Sequence, residues 1–400
     1  MPEDLSPEDQ LCLLLARGRF SPAIAKRAVD RLEAGPNWDL VLQRLQAHGL
    51  IPLFYHRLQT LDFPGVPQPV REQLRRTFRN NAIWNVLLTQ ELVRLLTRLG
   101  AAGVPVIPLK GIALAESLYG DSALRTCIDL DILIHPRYAA ESLRVLHASG
   151  YAHRCGTPAF FHRLVRHGKD CELRREDAHM VYPLEVHFGL IWGGPVERRL
   201  VADIWSNAVP RPFHGAPACA LCPEWEFLHL AEHAARHRLS PLKWIVDLDW
   251  LLVRGALDWK NAHEKARRMG WERIVQFSLA ACAVLFETPV PEPFAGMPRP
   301  SALRILGSGP GSLEFPREAL FNLLLLPTLR QKLQFIAVRL FVPSPEDCEL
   351  LPLPCALFFL YYFMRPWRLA GTLAKWLIQA GVARLRRLRT SKRSNVNSRG

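Results

Sequence analysis

The stretch TCIDLDILIHP, residues 126–136, decides how this chain is read. Asp129 and Asp131 stand one residue apart inside an apolar, β-branched run. Side chains alternate along a strand, so both carboxylates fall on one face, about 7 Å apart, while Leu130 and Ile132 point into a core. Two carboxylates held that close repel unless something positive stands between them, and hard oxygen ligands suit Mg2+. A half-exposed strand with acids on its wet face produces the same triplet, so the surrounding sequence has to carry the reading.

Upstream, VPVIPL (104–109) reads as a short strand that ends at Lys110-Gly111, and IALAESLYG as a helix stopped by Gly120. A glycine between strand and helix lets a phosphate approach the backbone, where helix N–H groups and the helix dipole favour anions. Lys110 adds a positive charge there. Arg125 offers a bidentate fork to the same phosphates, the alternative being a structural ion pair with Asp121 or Asp129. Downstream, IDLDILI (128–134) is a second strand, RYAAESLRVLHASG a helix stopped by Gly150, and LEVHFGL (184–190) a later strand. Glu185, between Leu184 and Val186, is the candidate third carboxylate. Asp170, Glu172 and Glu176 in the strand-like KDCELRRED compete with it, and His187 shares its strand face.

With these residues in hand, the run VIPLKGIALAESLYGDSALRTCIDLDILIHP and the later LEVHF resemble the bacterial family of uncharacterised nucleotidyltransferases. That family is a divergent branch of the DNA polymerase β-like nucleotidyltransferase superfamily. The resemblance is strongest over residues 100–190 and extends weakly to the N-terminal helices and to HLAEHAARHRLSPLKWIVDLDWLL. It implies transfer of a nucleoside monophosphate from a nucleoside triphosphate to an acceptor, with two Mg2+ ions and release of pyrophosphate. It also implies that Asp129, Asp131 and Glu185 are the metal-binding acids and Gly111 the glycine of the opening motif. The superfamily commonly has Gly-Ser or Gly-Gly there, whereas this chain has Lys110-Gly111. Lys110, the Gly111 backbone and Arg125 are then the expected phosphate contacts. The acceptor (small molecule, sugar, lipid, peptide, protein or RNA) is open.

The expected architecture is α+β: a small mixed sheet with helices, flanked by helical regions. Residues 1–100 read as an N-terminal helical region, 101–222 as the nucleotidyltransferase core, 223–383 as a C-terminal helical region and 384–400 as a basic tail that frays. Lysine and arginine exceed aspartate and glutamate by 51 − 37 = 14, which fits a polyanionic partner such as nucleotide phosphates, nucleic acid or an acidic membrane surface. The start, MPEDLSPEDQ, lacks the basic and apolar segments of a secretory signal, and nine scattered cysteines point to free thiols and a cytoplasmic setting. The Cys219–Cys222 pair is too little for a zinc site on its own.

Other segments leave further readings. LLPLPCALFFLYYFM (350–364) has fifteen residues and two prolines, short of the ~20 a membrane span needs, and reads as a buried helix, with an interfacial role as the alternative. The amphipathic, basic WRLAGTLAKWLIQAGVARL and the tail after it keep contact with an anionic membrane or with RNA open. HLAEH (229–233) fits an inverted zinc-peptidase motif, with His229 and His233 as ligands and Glu232 as base. PLKWIVDLDWLL places Lys243, Asp247 and Asp249 where they could touch an acceptor, although its Trp and Leu residues read as packing. The rival to catalysis is a nucleotide- or polyanion-binding protein that keeps the fold without the reaction, and a membrane-surface adaptor is a third possibility.

Overall fold

The computed structural model describes residues 5–153, 170–177, 180–190, 198–255, 257–296, 315–326 and 328–397. Four helices open the chain: α1 (Pro7–Ala16), α2 (Pro22–Glu33), α3 (Trp38–His48) and α4 (Ile51–Thr60). Ser6, Ser21 and Asn37 cap the first three, each side chain accepting a hydrogen bond from an N–H of the first turn. The long α5 (Gln68–Ala101) follows, and its Leu88, Leu92, Leu95 and Leu99 recur at helical spacing as a buried stripe.

The sheet has five strands: β1 (Val106–Pro108), β2 (Leu130–Ile134), β3 (Ala152–His153), β4 (Cys171–Glu176) and β5 (Val181–His187), in the order β1-β2-β5-β4-β3. Only β2 and β5 run parallel; the other pairs are antiparallel. Between β1 and β2 lies a short α6 (Gly111–Leu114) that continues as a π-helical turn, Ala115–Tyr119. Helix α7 (Ala139–Ala148) follows β2. Beyond the sheet come α8 (Arg198–Ser206), the small pair β6 (Val209–Pro210) and β7 (Cys219–Ala220), and the helices α9 (Pro223–Arg236), α10 (Lys243–Arg254), α11 (Trp259–Met269) and α12 (Glu272–Phe286). The last elements are α13 (Phe315–Leu325), α14 (Leu329–Phe341), α15 (Pro345–Leu350) and α16 (Leu360–Asn397).

Strand alternation divides the core in two. Leu130, Ile132, Ile134, Leu184 and Val186 pack with α5 and α7 on one face of the sheet. Ile107 and Leu133 belong to the other core, which joins α9, α10 and α12 to α1–α4. This second core runs across the expected boundary at residue 100, so the N-terminal helices and the helices after residue 223 are packed together.

The mixed sheet with flanking helices is the α+β architecture read from the sequence, with differences in detail. The strands are shorter or shifted: β1 covers only Val106–Pro108, Asp129 stands just before β2, and β5 begins at Val181. β4, which falls in the strand-like KDCELRRED, and the two-residue β3 extend the sheet beyond the three core strands. LLPLPCALFFLYYFM is not a buried helix: Leu350, Leu351, Leu357, Phe359 and Phe363 are exposed, while Phe358 and Tyr361 are buried. The prolines confine regular structure there to a 3-10 turn, Cys355–Leu357, before α16 begins. The backbone of α16 continues helically through the basic tail as far as Asn397. No helix among the described residues is long and apolar enough to cross a membrane.

Candidate active site

The parallel pairing of β2 with β5 sets the register on which the site depends. Asp131 lies opposite Glu185, with Leu130 opposite Leu184 and Ile132 opposite Val186. Because the pleat alternates, Asp131 and Glu185 share the face turned away from the α5 core, and His187, two residues on, shares it too. His187 Nε2 lies 3.1 Å from Asp131 Oδ1 and 3.5 Å from Glu185 Oε2, and its Nδ1 lies 3.0 Å from Asp170 Oδ1. Ligand atoms of Asp131, Glu185 and His187 all fall within 4.8 Å of one another, the spacing at which three side chains can share an ion.

The Lys110-Gly111 turn is fixed over this face. The Leu109 N–H donates to Asp131 O at 2.9 Å, which ties the end of β1 to β2. Gly111 has φ +58°, and a Cβ there would stand 3.4 Å from Asp129 O, so the turn uses glycine for its left-handed backbone beside the acid pair. Lys110 is buried, with Nζ 3.2 Å from Asp131 Oδ1 and 3.5 Å from His233 Nδ1.

Charge is balanced inside the protein itself. Burial works against ionised Asp131, but Lys110 and His187 outweigh it and hold its carboxyl well below the usual range. Burial likewise opposes a charged His187, yet Asp170 and Asp131 push its pKa well above the ordinary histidine value, so both ring nitrogens carry protons and donate. Asp129 has the opposite environment: burial, then Asp131 and Glu185, raise it to about 6. A carboxyl crowded by two like charges and partly desolvated is one that a divalent cation would return to its ionised form. Asp131 and Glu185 thus offer convergent oxygen donors of the kind a divalent cation takes, and Asp129 lines the same cavity.

Arg125 sits differently from the phosphate contact expected of it. Its Nε and Nη2 donate to Asp247 at 2.9 and 2.8 Å, Tyr119 Oη donates to the same carboxylate at 2.7 Å, and the arginine and aspartate are buried. The ion pair foreseen as Arg125's alternative is thus formed with Asp247 of α10, where Asp121 or Asp129 had been the expected partner. Asn85 Nδ2 donates to Arg125 O, Trp84 Nε1 to Cys127 O and Lys243 Nζ to Thr126 O, so α5 and α10 together hold the loop that leads into Asp129.

The surrounding cavity, of about 640 Å³, is lined by Lys110, Gly111, Arg125, Asp129, Asp131 and Glu185 together with side chains from distant parts of the chain. Asp170 and Glu172, the competitors of Glu185, line it too, and Glu172 lies opposite Glu185 in the sheet. Glu176 lies at the far end of β4, paired with Arg174. Helix α9 contributes His233, Arg236 and His237; α10 contributes Lys243 and Trp244; the C-terminal helices contribute Arg339, Arg365 and Arg368.

One family's sequence model, described as uncharacterised nucleotidyltransferase, matches residues 34–287. The chain belongs to that family. The match takes in the N-terminal helices from α3 onward, the sheet, and α9 to α12. A comparison with curated proteins finds no match. Among solved structures, an antigenic nucleotidyltransferase-like protein from Paracoccidioides brasiliensis aligns with 51% of this chain and 93% of its own, at 14% identity and a TM-score of 0.31.

Within this family member, the HLAEH motif does not assemble a zinc site among the described residues. Its side chains form no cluster of convergent ligands, and His233 Nδ1 instead faces Arg236 Nη2 at 3.0 Å. Burial, followed by the nearby Lys110 cation, depresses His229 and His233 well below the histidine range, so both are neutral rings, and His233 lines the cavity. The arginines of α9, α14 and α16 were missed at the level of sequence. They sit among many basic residues with no local pattern, and only the tertiary packing of α9 and of the C-terminal helices brings them to the acids.

Proposed function

We propose that this protein transfers a nucleoside monophosphate from a nucleoside triphosphate to an acceptor, with release of pyrophosphate. The observation that supports this best is the Asp131–Glu185 register, which puts two acids on one face beside Asp129 and beneath a glycine turn. Asp129, Asp131 and Glu185 would hold two Mg2+ ions. Bound there, the metal supplies charge neutralisation at the phosphoryl oxygens and a lowered pKa for the acceptor group.

The residues of the chain divide the remaining work. The Gly111 backbone admits the phosphates, and Lys110 offers them its ammonium. An acceptor oxygen forms the new bond to the α-phosphorus while the bond from that phosphorus to the bridging oxygen breaks. Pyrophosphate leaves with the electron pair, and the acceptor proton passes to Glu185, the most solvent-accessible of the acids that face His187. His187, held by Asp170, keeps Asp131 and Glu185 oriented. Arg125 acts through position: paired with Asp247, it anchors the loop that delivers Asp129.

The test is incubation of the purified protein with α-labelled nucleoside triphosphates, Mg2+ and a cell extract, reading pyrophosphate release and transfer of label. Label should move to an acceptor with the unaltered chain and not with Asp131→Asn. Binding of triphosphate with no pyrophosphate released, whatever the acceptor, would favour the non-catalytic nucleotide-binding reading.

A further inference from the structure

Exposed apolar side chains are not spread evenly over the molecule. Of the large hydrophobic residues exposed among the described residues, most lie between Leu320 and Ile378, on the helices α13 to α16 and the turns joining them. Single exposed leucines are ordinary on a protein surface; stripes of them at helical spacing are not. On α14, Leu329, Leu333, Ile336 and Leu340 recur every three or four residues and are all exposed, Leu329 at 72%. On α16, Phe363 and Trp367 stand one turn apart at 67% and 78% exposure, with Leu377 and Ile378 following on the same side.

The opposite sides of these helices are occupied. Phe335 of α14 and Tyr361, Arg365 and Leu369 of α16 are buried, and Arg365 Nε donates to Arg339 O at 2.9 Å, joining the two helices. Arg365 and Arg368 also engage Asp347 of α15 and line the cavity of the candidate site. Each helix is therefore two-sided, with an inner face built into the site and an outer apolar face turned to solvent.

Charge selects the occupant of that outer face. Arg339, Arg365 and Arg368 belong to the inner face, but Leu360–Asn397 also carries Lys375 and a run of further arginines and lysines with no aspartate or glutamate, and Leu329–Phe341 carries Arg330 and Lys332 with no acid. A second copy of the chain would bring these like charges together. A bilayer with anionic headgroups meets both features, taking the apolar side chains into the headgroup–acyl boundary and the cations at its phosphates. We propose that α14 and α16 dock the protein on an anionic membrane surface, with the candidate site on the inner side of the docking helix. The docking does not depend on the reaction proposed above.

The experiment is co-sedimentation of the full chain with vesicles of phosphatidylcholine, with and without a large minority of phosphatidylglycerol. The protein should pellet with the anionic vesicles, much less with phosphatidylcholine alone, and less in high salt. Phe363→Ser/Trp367→Ser and Leu329→Ser/Leu333→Ser should each weaken binding by roughly tenfold or more, since each removes two apolar anchors. These positions are exposed, so the circular dichroism and melting midpoint of both variants should match the unaltered chain. Equal pelleting on both kinds of vesicle, or binding unaffected by either double substitution, would overturn the proposal. So would a dimer in sedimentation velocity that Phe363→Ser/Trp367→Ser dissociates while no vesicle binding is seen.

Discussion

Replacing Asp247 separates a positioning role for Arg125 from a phosphate-binding one. The Arg125 side chain is 5% exposed and that of Asp247 fully buried, with hydrogen bonds at 2.8 and 2.9 Å. Burial alone would lower the arginine pKa, but Asp247 more than compensates and holds it well above the ordinary value. Asp247→Asn leaves that cation buried without its counter-charge, which costs about 3–5 kcal/mol. At roughly 2–4 °C per kcal/mol, the melting midpoint should fall by roughly 6–20 °C. Removing the whole cluster in the triple variant Arg125→Met/Asp247→Leu/Tyr119→Phe should restore most of that loss, because no unpaired polar group remains. Thermal denaturation followed by circular dichroism reads the stability, and calorimetric titration with a non-hydrolysable triphosphate reads the affinity. If Arg125 only positions the loop, the triple variant should bind the triphosphate within about threefold of the unaltered chain, under 1 kcal/mol. A loss of tenfold or more in a stably folded triple variant would show that Arg125 reaches the phosphates. A shift of under about 1 kcal/mol for Asp247→Asn would refute the energetic reasoning itself.

Asp131→Asn and Glu185→Gln should each reduce pyrophosphate release by roughly a thousandfold or more while leaving the melting curve cooperative, and near-normal turnover in either would remove the metal-site assignment. Gly111→Ala forces a Cβ into a left-handed conformation beside Asp129 O; a cost of about 1–2 kcal/mol is expected, with loss of turnover exceeding loss of stability if the turn holds the phosphates. A third expectation concerns pH and lies away from the site, at Glu91. Burial opposes its charge, but hydrogen bonds from Arg94, Arg175 and Tyr151 prevail and hold its carboxyl below the usual 4.5. Its contribution is therefore full at neutral pH and lost as pH falls from the ordinary glutamate range through its depressed folded value. Urea midpoints of Glu91→Gln should be lower than those of the unaltered chain at neutral pH and converge with them in acid; parallel curves would contradict this.

What could be read from the sequence follows the range of the interactions involved. The acid pair, the glycine turn and the β-branched runs are local; period-two alternation alone predicts Asp129 and Asp131 on one face, and both line the same cavity. That Glu185 faces Asp131 depends on pairing between strands 54 residues apart, for which the sequence offers only a plausible strand and an acid flanked by apolar residues. Asp247 reads from the sequence as a residue that could touch an acceptor, yet its carboxylate closes on Arg125 and Tyr119, a pairing set by how α10 packs against the loop before β2. Likewise, the apolar density of LLPLPCALFFLYYFM suggested burial, because hydropathy records composition and not which side of a helix meets a neighbour.

The distribution of charge around the cavity explains why the helical regions matter to a site whose acids come mostly from the strands and their ends. Asp129, Asp131, Asp170, Glu172 and Glu185 make the sheet side strongly negative, and Lys110 and His187 already face Asp131. The triphosphate of the proposed reaction would need further positive charge in such a cavity, and the cations that line it rise from separate helices: Arg236 on α9, Lys243 on α10, Arg365 and Arg368 on α16. Burial, with Lys110 and Arg236, keeps His229, His233 and His237 uncharged, the last at about 3. Helix α9 thus presents a polar surface that adds little charge of its own beyond Arg236. Positive charge is concentrated at the arginines and lysines, which under the proposed reaction is the electrostatic reason for closing a small acidic sheet with long basic helices.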